Sequence, residues 1–355
     1  MRTRTWILLL GIGVAAGCDD PFDDADARFE PTTASLLSTD SPFKDEDPSV
    51  MRANDGSMVV AWFSDRDGAG DIYVSRATAG ENWSEAARVT LDTGGDFYPS
   101  IFQDGAGTYH LVWHRWYAFF RGHIMHTTSK KPGSWSVADE ESVTTDPDVD
   151  DWLPTPAIAS DGTLFIYFVS EVRDPTNATS QLYVVSKGPS DTAWSAADPV
   201  DDLNSDTEHD QLPFVARTGS GFTMVWVRHD TSEPLPWLNA KSQLFLSTSA
   251  DGRSWSPPQQ VTNDAGNVVN LFPMIYSTGS SQSILWLSTR QGTARPYEIP
   301  LAGAGQYPLG VIENTSLPDG YSHRVAATPT GGVFLGVWVQ GPDGAQNVFY
   351  RFYRR

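Results

Sequence analysis

Asp47–Trp62 reads DPSVMRANDGSMVVAW. Asp47-Pro48-Ser49-Val50 opens it, Asn54-Asp55-Gly56 interrupts it, and Met58–Trp62 is an apolar run ending in tryptophan. Proline suits the first residue of a strand, where no ladder N–H is required. Asn-Asp-Gly is hairpin-turn chemistry, and a short apolar run bounded by turn residues reads as a buried strand. The stretch is therefore a pair of antiparallel strands. Ile72-Tyr73-Val74 adds a third, Trp83-Ser84 a turn, and Ala87–Val89 a fourth.

The same order returns at intervals of roughly 50–60 residues, a period that signals an array or a propeller. Its openings are Tyr98-Pro99-Ser100-Ile101, Thr155-Pro156-Ala157-Ile158, Leu212-Pro213-Phe214-Val215 and Phe272-Pro273-Met274-Ile275; a sixth, Ser322-His323-Arg324-Val325, lacks the proline. Second strands follow at Tyr109–Trp113, Leu164–Phe168, Phe222–Trp226, Ile284–Trp286 and Val333–Trp338, with Tyr167 standing for tryptophan in the third unit. Trp135-Ser136, Trp194-Ser195 and Trp255-Ser256 repeat the later turn.

Four short antiparallel strands per unit, repeated radially, are the blades of an all-β propeller. The expectation is a six-bladed β-propeller over residues 28–355, with blades opening near 47, 98, 155, 212, 272 and 322. The last unit ends after its third strand. Arg28–Leu37 is expected to supply the missing one and close the ring, removing free edges.

The 355 residues carry 44 acidic against 24 basic side chains, a formal charge of −20, which repels polyanions and excludes nucleic-acid binding. Arg2 and Arg4, the apolar run Trp6–Val14 and Ala15-Ala16-Gly17 ahead of Cys18 make residues 1–17 an export signal. Cys18 is the single cysteine, so an intrachain disulfide is excluded. Its junction resembles the lipobox of bacterial lipoproteins, which implies lipid attachment at Cys18. Residues 18–27 are acidic and read as a tether. An exported, membrane-anchored monomer is expected.

Ser249-Ala250-Asp251-Gly252-Arg253-Ser254-Trp255-Ser256 resembles the Asp-box of sialidases and related bacterial neuraminidase repeats, one residue short of the usual spacing. Ala61–Gly68 followed by Asp71-Ile72-Tyr73 is similar to the body of such repeats. The resemblance covers residues 28–355 and implies a sialidase-like propeller. Enzymes of that kind work on the face opposite their Asp-boxes.

That face receives Asp45, Asp96, Asp210 and Asn270, each three residues before an opening proline, with Asp150 and Asp151 displaced in the third unit. It also receives Arg66, Arg115, Arg173, Arg228 and Arg290 from the loops after the second strands. The resemblance implies arginines gripping a substrate carboxylate. Asp96 or Asp210 would be the acid, and Tyr321 or Tyr117 with Glu171 the nucleophile pair. Trp152, His209 and His229 join as binding residues. A repeated Asp–Arg salt bridge fits the same pattern without chemistry. The Arg-Ile-Pro triplet of typical sialidases is absent, which favours glycan or glycoprotein binding over an exo-glycosidase acting on acidic sugars. A non-catalytic envelope scaffold is the third reading. No cofactor or metal motif stands out: carboxylates suit Ca²⁺, but no Asp-x-Asp-x-Asp loop is present.

Overall fold

The computed structural model describes residues 35–38, 42–78, 82–118, 121–171, 173, 179–230, 241–278, 281–290, 292, 294–301, 310–311, 321–327, 333–341 and 345–354. Cys18 and the rest of the leader and tether lie outside them.

The described chain is all-β apart from one 3-10 turn at Val137–Asp139. Sheet one holds Asp45–Arg52, Met58–Ser64, Asp71–Ala77 and Ala87–Arg88. Sheet two holds Gly95–Gln103, Tyr109–Ala118, Arg121–Ser129 and Glu141–Ser142. Sheet three holds Asp150–Ile158, Leu164–Glu171, Gln181–Lys187 and Asp198–Pro199, and one parallel bridge from Asp150 to Gly122 joins it to sheet two. Sheet four is Glu208–Thr218, Gly221–Asp230, Ser242–Ser249 and Gln259–Gln260. Sheet five is Asn270–Thr278, Ser281–Ser288, Arg295–Pro300 and Gly310–Val311. Sheet six is Tyr321–Ala327, Val333–Gln340 and Asn347–Arg354, and its fourth strand is Ser35–Leu36 from the other end of the chain. Ser35 pairs with Tyr350 and Leu36 with Phe349, antiparallel.

Each first strand contacts the first strand of the following sheet, and that of sheet six contacts that of sheet one. Backbone bonds stitch neighbouring sheets where the first strands begin: Asp45 N–H donates to Gln346 O (2.9 Å), Asp96 N–H to Gly70 O (3.1 Å) and Asp210 N–H to Ser180 O (3.0 Å). Apolar clusters fill the seams, with Met58, Trp62, Leu335 and Val348 between sheets six and one, and Val59, Ile72, Leu111 and Trp113 between one and two. Wide indoles suit this radial packing, and Trp62, Trp113, Trp226, Trp286 and Trp338 are all fully buried.

Pro48, Pro99, Pro154, Pro213 and Pro273 each follow a residue in left-handed backbone: Asp47 (φ 51°), Tyr98 (52°), Leu153 (53°), Leu212 (51°) and Phe272 (50°). Side chains rarely adopt such φ values, and a following proline disfavours helical backbone further. Pairing of the first and second strands slips at the same points, between Glu46 and Ser49 in sheet one and between Trp152 and Thr155 in sheet three. The repeat is thus a bulge that turns the start of each first strand.

The third unit is in register at Leu153-Pro154, not at Thr155-Pro156. Asp151, three residues before Pro154, is therefore the counterpart of Asp45, Asp96 and Asp210 and is not displaced. The same shift makes Phe168 the tryptophan equivalent. Its ring stacks on Tyr183 (6.1 Å, 22°) as Trp62 stacks on Tyr73 (6.1 Å, 29°) and Trp226 on Phe245 (5.9 Å, 30°). Tyr167 instead donates its hydroxyl to Gly252 O (2.6 Å), in the turn of the next sheet.

Candidate functional site

In sheets two and four the aspartate and arginine sit on opposing strands and cross-strand register brings them together, whereas Arg66, Arg173 and Arg290 lie two residues past their second strands. Asp96 lies opposite Arg115, and Asp210 opposite Arg228. Asp96 is fully buried and accepts from Trp113 Nε1 (2.7 Å) and from Arg115 Nε (2.7 Å) and Nη2 (2.9 Å). Asp210 repeats this with Trp226 Nε1 (2.7 Å) and Arg228 Nε (2.7 Å), and adds the Ser205 N–H (2.8 Å). Arg66 bonds Asp45 (2.9 Å), and Arg173 bonds Asp151 through Nε (2.9 Å) and Nη2. In sheet five Asn270 takes the aspartate's place, so Arg290 reaches Asp264 instead (2.9 Å).

Each of the five guanidiniums is thus bound to a carboxylate of its own unit or, for Arg290, of the segment leading into it. Between 5% and 17% of each of these side chains is exposed. A substrate carboxylate would have to displace a buried ion partner, a change costing several kcal/mol. The arginines proposed as a clamp, and Asp96 and Asp210 proposed as acids, are placed as the repeated internal salt bridge.

A different group assembles where sheets two, three and four meet on the same loop-rich face. Asp150 and Glu171 are directly opposed on the first and second strands of sheet three. Burial, then the charge of Asp150, push the Glu171 carboxyl above its usual range, against a hydrogen bond from Ser180 Oγ (3.1 Å) that lowers it. His114 Nε2 lies 3.3 Å from Asp150 Oδ1 in a buried ring. Gly122 makes room for that ring, because a Cβ there would fall 1.7 Å from His114 Nε2. Ser180 N–H donates to His209 Nδ1 (2.9 Å), which fixes that nitrogen as the unprotonated one. Gln211 Nε2 donates to Ser180 Oγ (2.9 Å), and His229 stacks on His209 (4.8 Å). Burial lowers the His209 pKa, which favours the neutral imidazole.

Aromatic rings border this group. Tyr98 stacks on His114 (6.3 Å, 14°) and meets Trp152 at 6.2 Å, while Phe97 contacts His114, Trp116 and Phe63. Trp116 is 44% exposed and Tyr117 53%, both at the end of the second strand of sheet two. Asp47, Tyr98, Leu153, Leu212 and Phe272, the left-handed residues, line a cavity of about 320 Å³ among the first strands of sheets one to five. Left-handed residues are strained by about 1–3 kcal/mol each, and such strain collects at ligand sites.

The structure brings together Glu171, Trp152, His209 and His229 of the sequence-derived candidates. Tyr117 lies apart, its ring on His123 (4.8 Å) and its hydroxyl on Met125 Sδ (3.5 Å). Tyr321 begins the first strand of sheet six, with its side chain outside the described residues. Residues 231–240 also lie outside them. Sequence reasoning places His114 on the same rim and names Asp150 and Glu171 separately, but it does not single out Ser180, Tyr98 or the opposition of Asp150 and Glu171. Placing the third opening at Pro154 would have set Asp150 and Glu171 opposite each other.

No protein-family profile matches the chain, and no curated protein matches it. Solved structures do. The α-L-arabinofuranosidase of Fusarium graminearum superposes with TM-score 0.68 at 13% identity over 91% of this chain and 97% of that one. The chain has the fold of the β-propeller glycosidases. The Penicillium chrysogenum α-L-arabinanase superposes with TM-score 0.67 at 14% identity, covering 91% of this chain and 98% of the other. A Hadza microbial sialidase gives 0.61 at 13% identity, covering 87% of this chain and 65% of the sialidase. At these identities the likeness concerns the fold.

Proposed function

We propose that this chain is an exported, lipid-anchored, six-bladed glycoside hydrolase that binds a neutral glycan on its loop-rich face. Six four-stranded sets, first strands in contact from sheet one round to sheet six and back, and the pairing of Ser35–Leu36 with the last strand support a closed ring. The leader and Cys18 support export and anchoring. Among the described residues no helix is long and apolar enough to cross a membrane.

The observation that carries the catalytic reading is the opposed pair Asp150 and Glu171. Directly paired residues place their Cβ atoms about 4.5–5.5 Å apart. That spacing suits the roughly 5 Å separation of the carboxyl groups in retaining glycosidases. Glu171, with its raised pKa, holds the proton that goes to the leaving-group oxygen as the glycosidic C–O bond breaks. Asp150 is the carboxylate that attacks the anomeric carbon, and water later hydrolyses the glycosyl ester with Glu171 as base. Trp152, Tyr98 and exposed Trp116 offer ring faces for sugar stacking.

A neutral sugar fits better than a sialic acid because the arginines that would receive an acidic substrate are already paired. The deciding assay is release of 4-nitrophenol from α-L-arabinofuranoside, other pentosides and hexosides, and sialoside conjugates. Turnover of a neutral glycoside, abolished by Glu171→Gln and Asp150→Asn in folded protein, supports the assignment. Turnover confined to sialosides would overturn the neutral-sugar reading. Glycan binding without any turnover would leave the face a recognition module and overturn the hydrolase.

A further inference from the structure

The hairpin turns Asp104–Gly107 and Asp161–Gly162 lie on the opposite face, where sheets two and three frame a second cavity of about 1220 Å³. His110, His126, Glu141, Asp104 and Lys187 line it. His110 Nδ1 and His126 Nε2 face each other at 3.0 Å. The outer nitrogen of each ring faces a carboxylate: His126 Nδ1 is 2.8 Å from Glu141 Oε1, and His110 Nε2 is 3.4 Å from Asp104 Oδ2. Lys187 Nζ secures the Glu141 carboxylate (2.8 Å). Phe102 stacks on His110 (4.7 Å, 13°), and Trp194 presses edge-on against His126 (5.5 Å, 84°). None of these side chains belongs to the loop-face site.

An ionised carboxylate only accepts hydrogen bonds, so the outer nitrogen of each imidazole carries its proton. In two neutral rings both inner nitrogens are then bare, with lone pairs directed at each other. Such a pair calls for a positive centre between the rings, either one shared proton or a metal ion. A carboxylate behind each imidazole is also the arrangement that fixes tautomer and orientation in metal-bound histidines. With metal–nitrogen bonds of about 2.05 Å, a tetrahedral centre spans about 3.4 Å between two nitrogens. From 3.0 Å apart with their planes 19° from parallel, the rings reach that span by separating about 0.4 Å and tilting so that the two lone pairs converge on one point beside the N–N line.

We propose that His110 and His126 form a two-imidazole site for a divalent transition-metal ion of the Cu²⁺ or Zn²⁺ type. Imidazole suits these ions. Among the described residues no cluster of three or more His, Cys, Asp or Glu ligands assembles, so the cavity supplies the remaining positions as water or a small exogenous donor. Asp104 and Glu141 act as positioning residues behind the two ligands.

The test is titration of the folded protein with Cu²⁺ at pH 7, followed by calorimetry and electron paramagnetic resonance. One ion per chain is expected, with nitrogen coupling from two imidazoles. His110→Gln and His126→Ala should each abolish this signal, and His209→Ala should keep it. Glu141→Gln should weaken binding 10- to 100-fold while leaving stoichiometry at one. Tryptophan fluorescence confirms that each variant is folded, and the Glu141→Gln shift decides the matter where a histidine variant is not. No saturable binding by the unsubstituted protein, or an unchanged spectrum in folded His110→Gln, would overturn the site.

Discussion

Replacing Asp210 with alanine tests whether the repeated Asp–Trp–Arg set is structural. In the folded protein Asp210 is fully buried and accepts from Trp226, Arg228 and the Ser205 N–H. Its loss strands a guanidinium whose side chain is 12% exposed, along with a buried indole N–H. Arg228 keeps only the Leu203 carbonyl (2.6 Å) and the Phe245 ring (4.7 Å) among these contacts. Breaking a buried pair by removing one partner costs about 3–5 kcal/mol. A loss of about 4 kcal/mol is expected. Asp96→Ala removes the same triad member in sheet two, yet Arg115 there retains Glu140 Oε2 at 2.8 Å and Asp92 Oδ2 at 3.7 Å. The charge is not orphaned, so about 2 kcal/mol is expected. The difference corresponds to about a 30-fold change in the folded-to-unfolded ratio. Asp210→Leu combined with Arg228→Met removes both charges and should recover most of the loss, because apolar replacements of buried pairs are often neutral. Urea unfolding followed by tryptophan fluorescence measures all four proteins. Equal losses for the two single variants, or a double variant no better than Asp210→Ala, would refute the reasoning.

Glu171 should set the alkaline limb of the glycosidase pH profile, since its protonated form is the acid. Ser180→Ala removes a hydrogen bond that lowers that pKa, so the alkaline limb should move to higher pH; an unshifted limb would remove Glu171 from the role. Its stability sign follows: a raised folded pKa adds stability below the unfolded value, lost as pH rises through the folded one. Asp251 runs the other way. The Ser254 and Arg253 N–H groups (both 2.8 Å) lower its pKa, so its contribution is present above the unfolded pKa and disappears as pH falls through the folded one. Asp251→Ala should cost about 1 kcal/mol, as loss of a capping side chain does, with the deficit vanishing in acid unfolding curves. Gly122→Ala should push His114 away from Asp150, costing about 1–3 kcal/mol by overpacking and depressing turnover more than stability accounts for. Full activity in that variant would place His114 outside the site.

Much of the architecture was legible because a propeller writes its repeat into composition. Proline before a strand, Asn-Asp-Gly in a hairpin and tryptophan in a seam each answer a local requirement. The Ser35–Leu36 pairing was also readable, since sheet six visibly lacked a fourth strand. Less was legible wherever two prolines competed. Pro154 and Pro156 both open plausible strands, and nothing local reveals that Leu153 adopts left-handed backbone. Choosing Pro156 moved Asp151 out of line and set Tyr167 where Phe168 belongs. The fate of the arginines was hidden for a different reason. A one-per-unit Asp and Arg can face the axis together or face each other, and only cross-strand register separates the two.

That distinction bears on chemistry. Asp96 and Asp210 recur with the same tryptophan and arginine partners, and their repetition is what drew attention to them. Asp150 and Glu171 are opposed in sheet three, and the register of sheets one, two and four has no second carboxylate pair at that place: the residues there are Lys44 and Asp65, joined by the Asp65 N–H to Lys44 O bond (3.2 Å), Gly95 and Trp116, and His209 and His229. A repeat protein diverges where it does chemistry, because a substrate breaks the symmetry that blade packing preserves. The asymmetry extends outward from the pair to His114, whose ring occupies the space left by Gly122, the residue opposite Trp116, and to Ser180, which serves Glu171 and His209 at once. Side chains that depart from the repeat and then gather in one place therefore carry more functional weight than side chains that obey it.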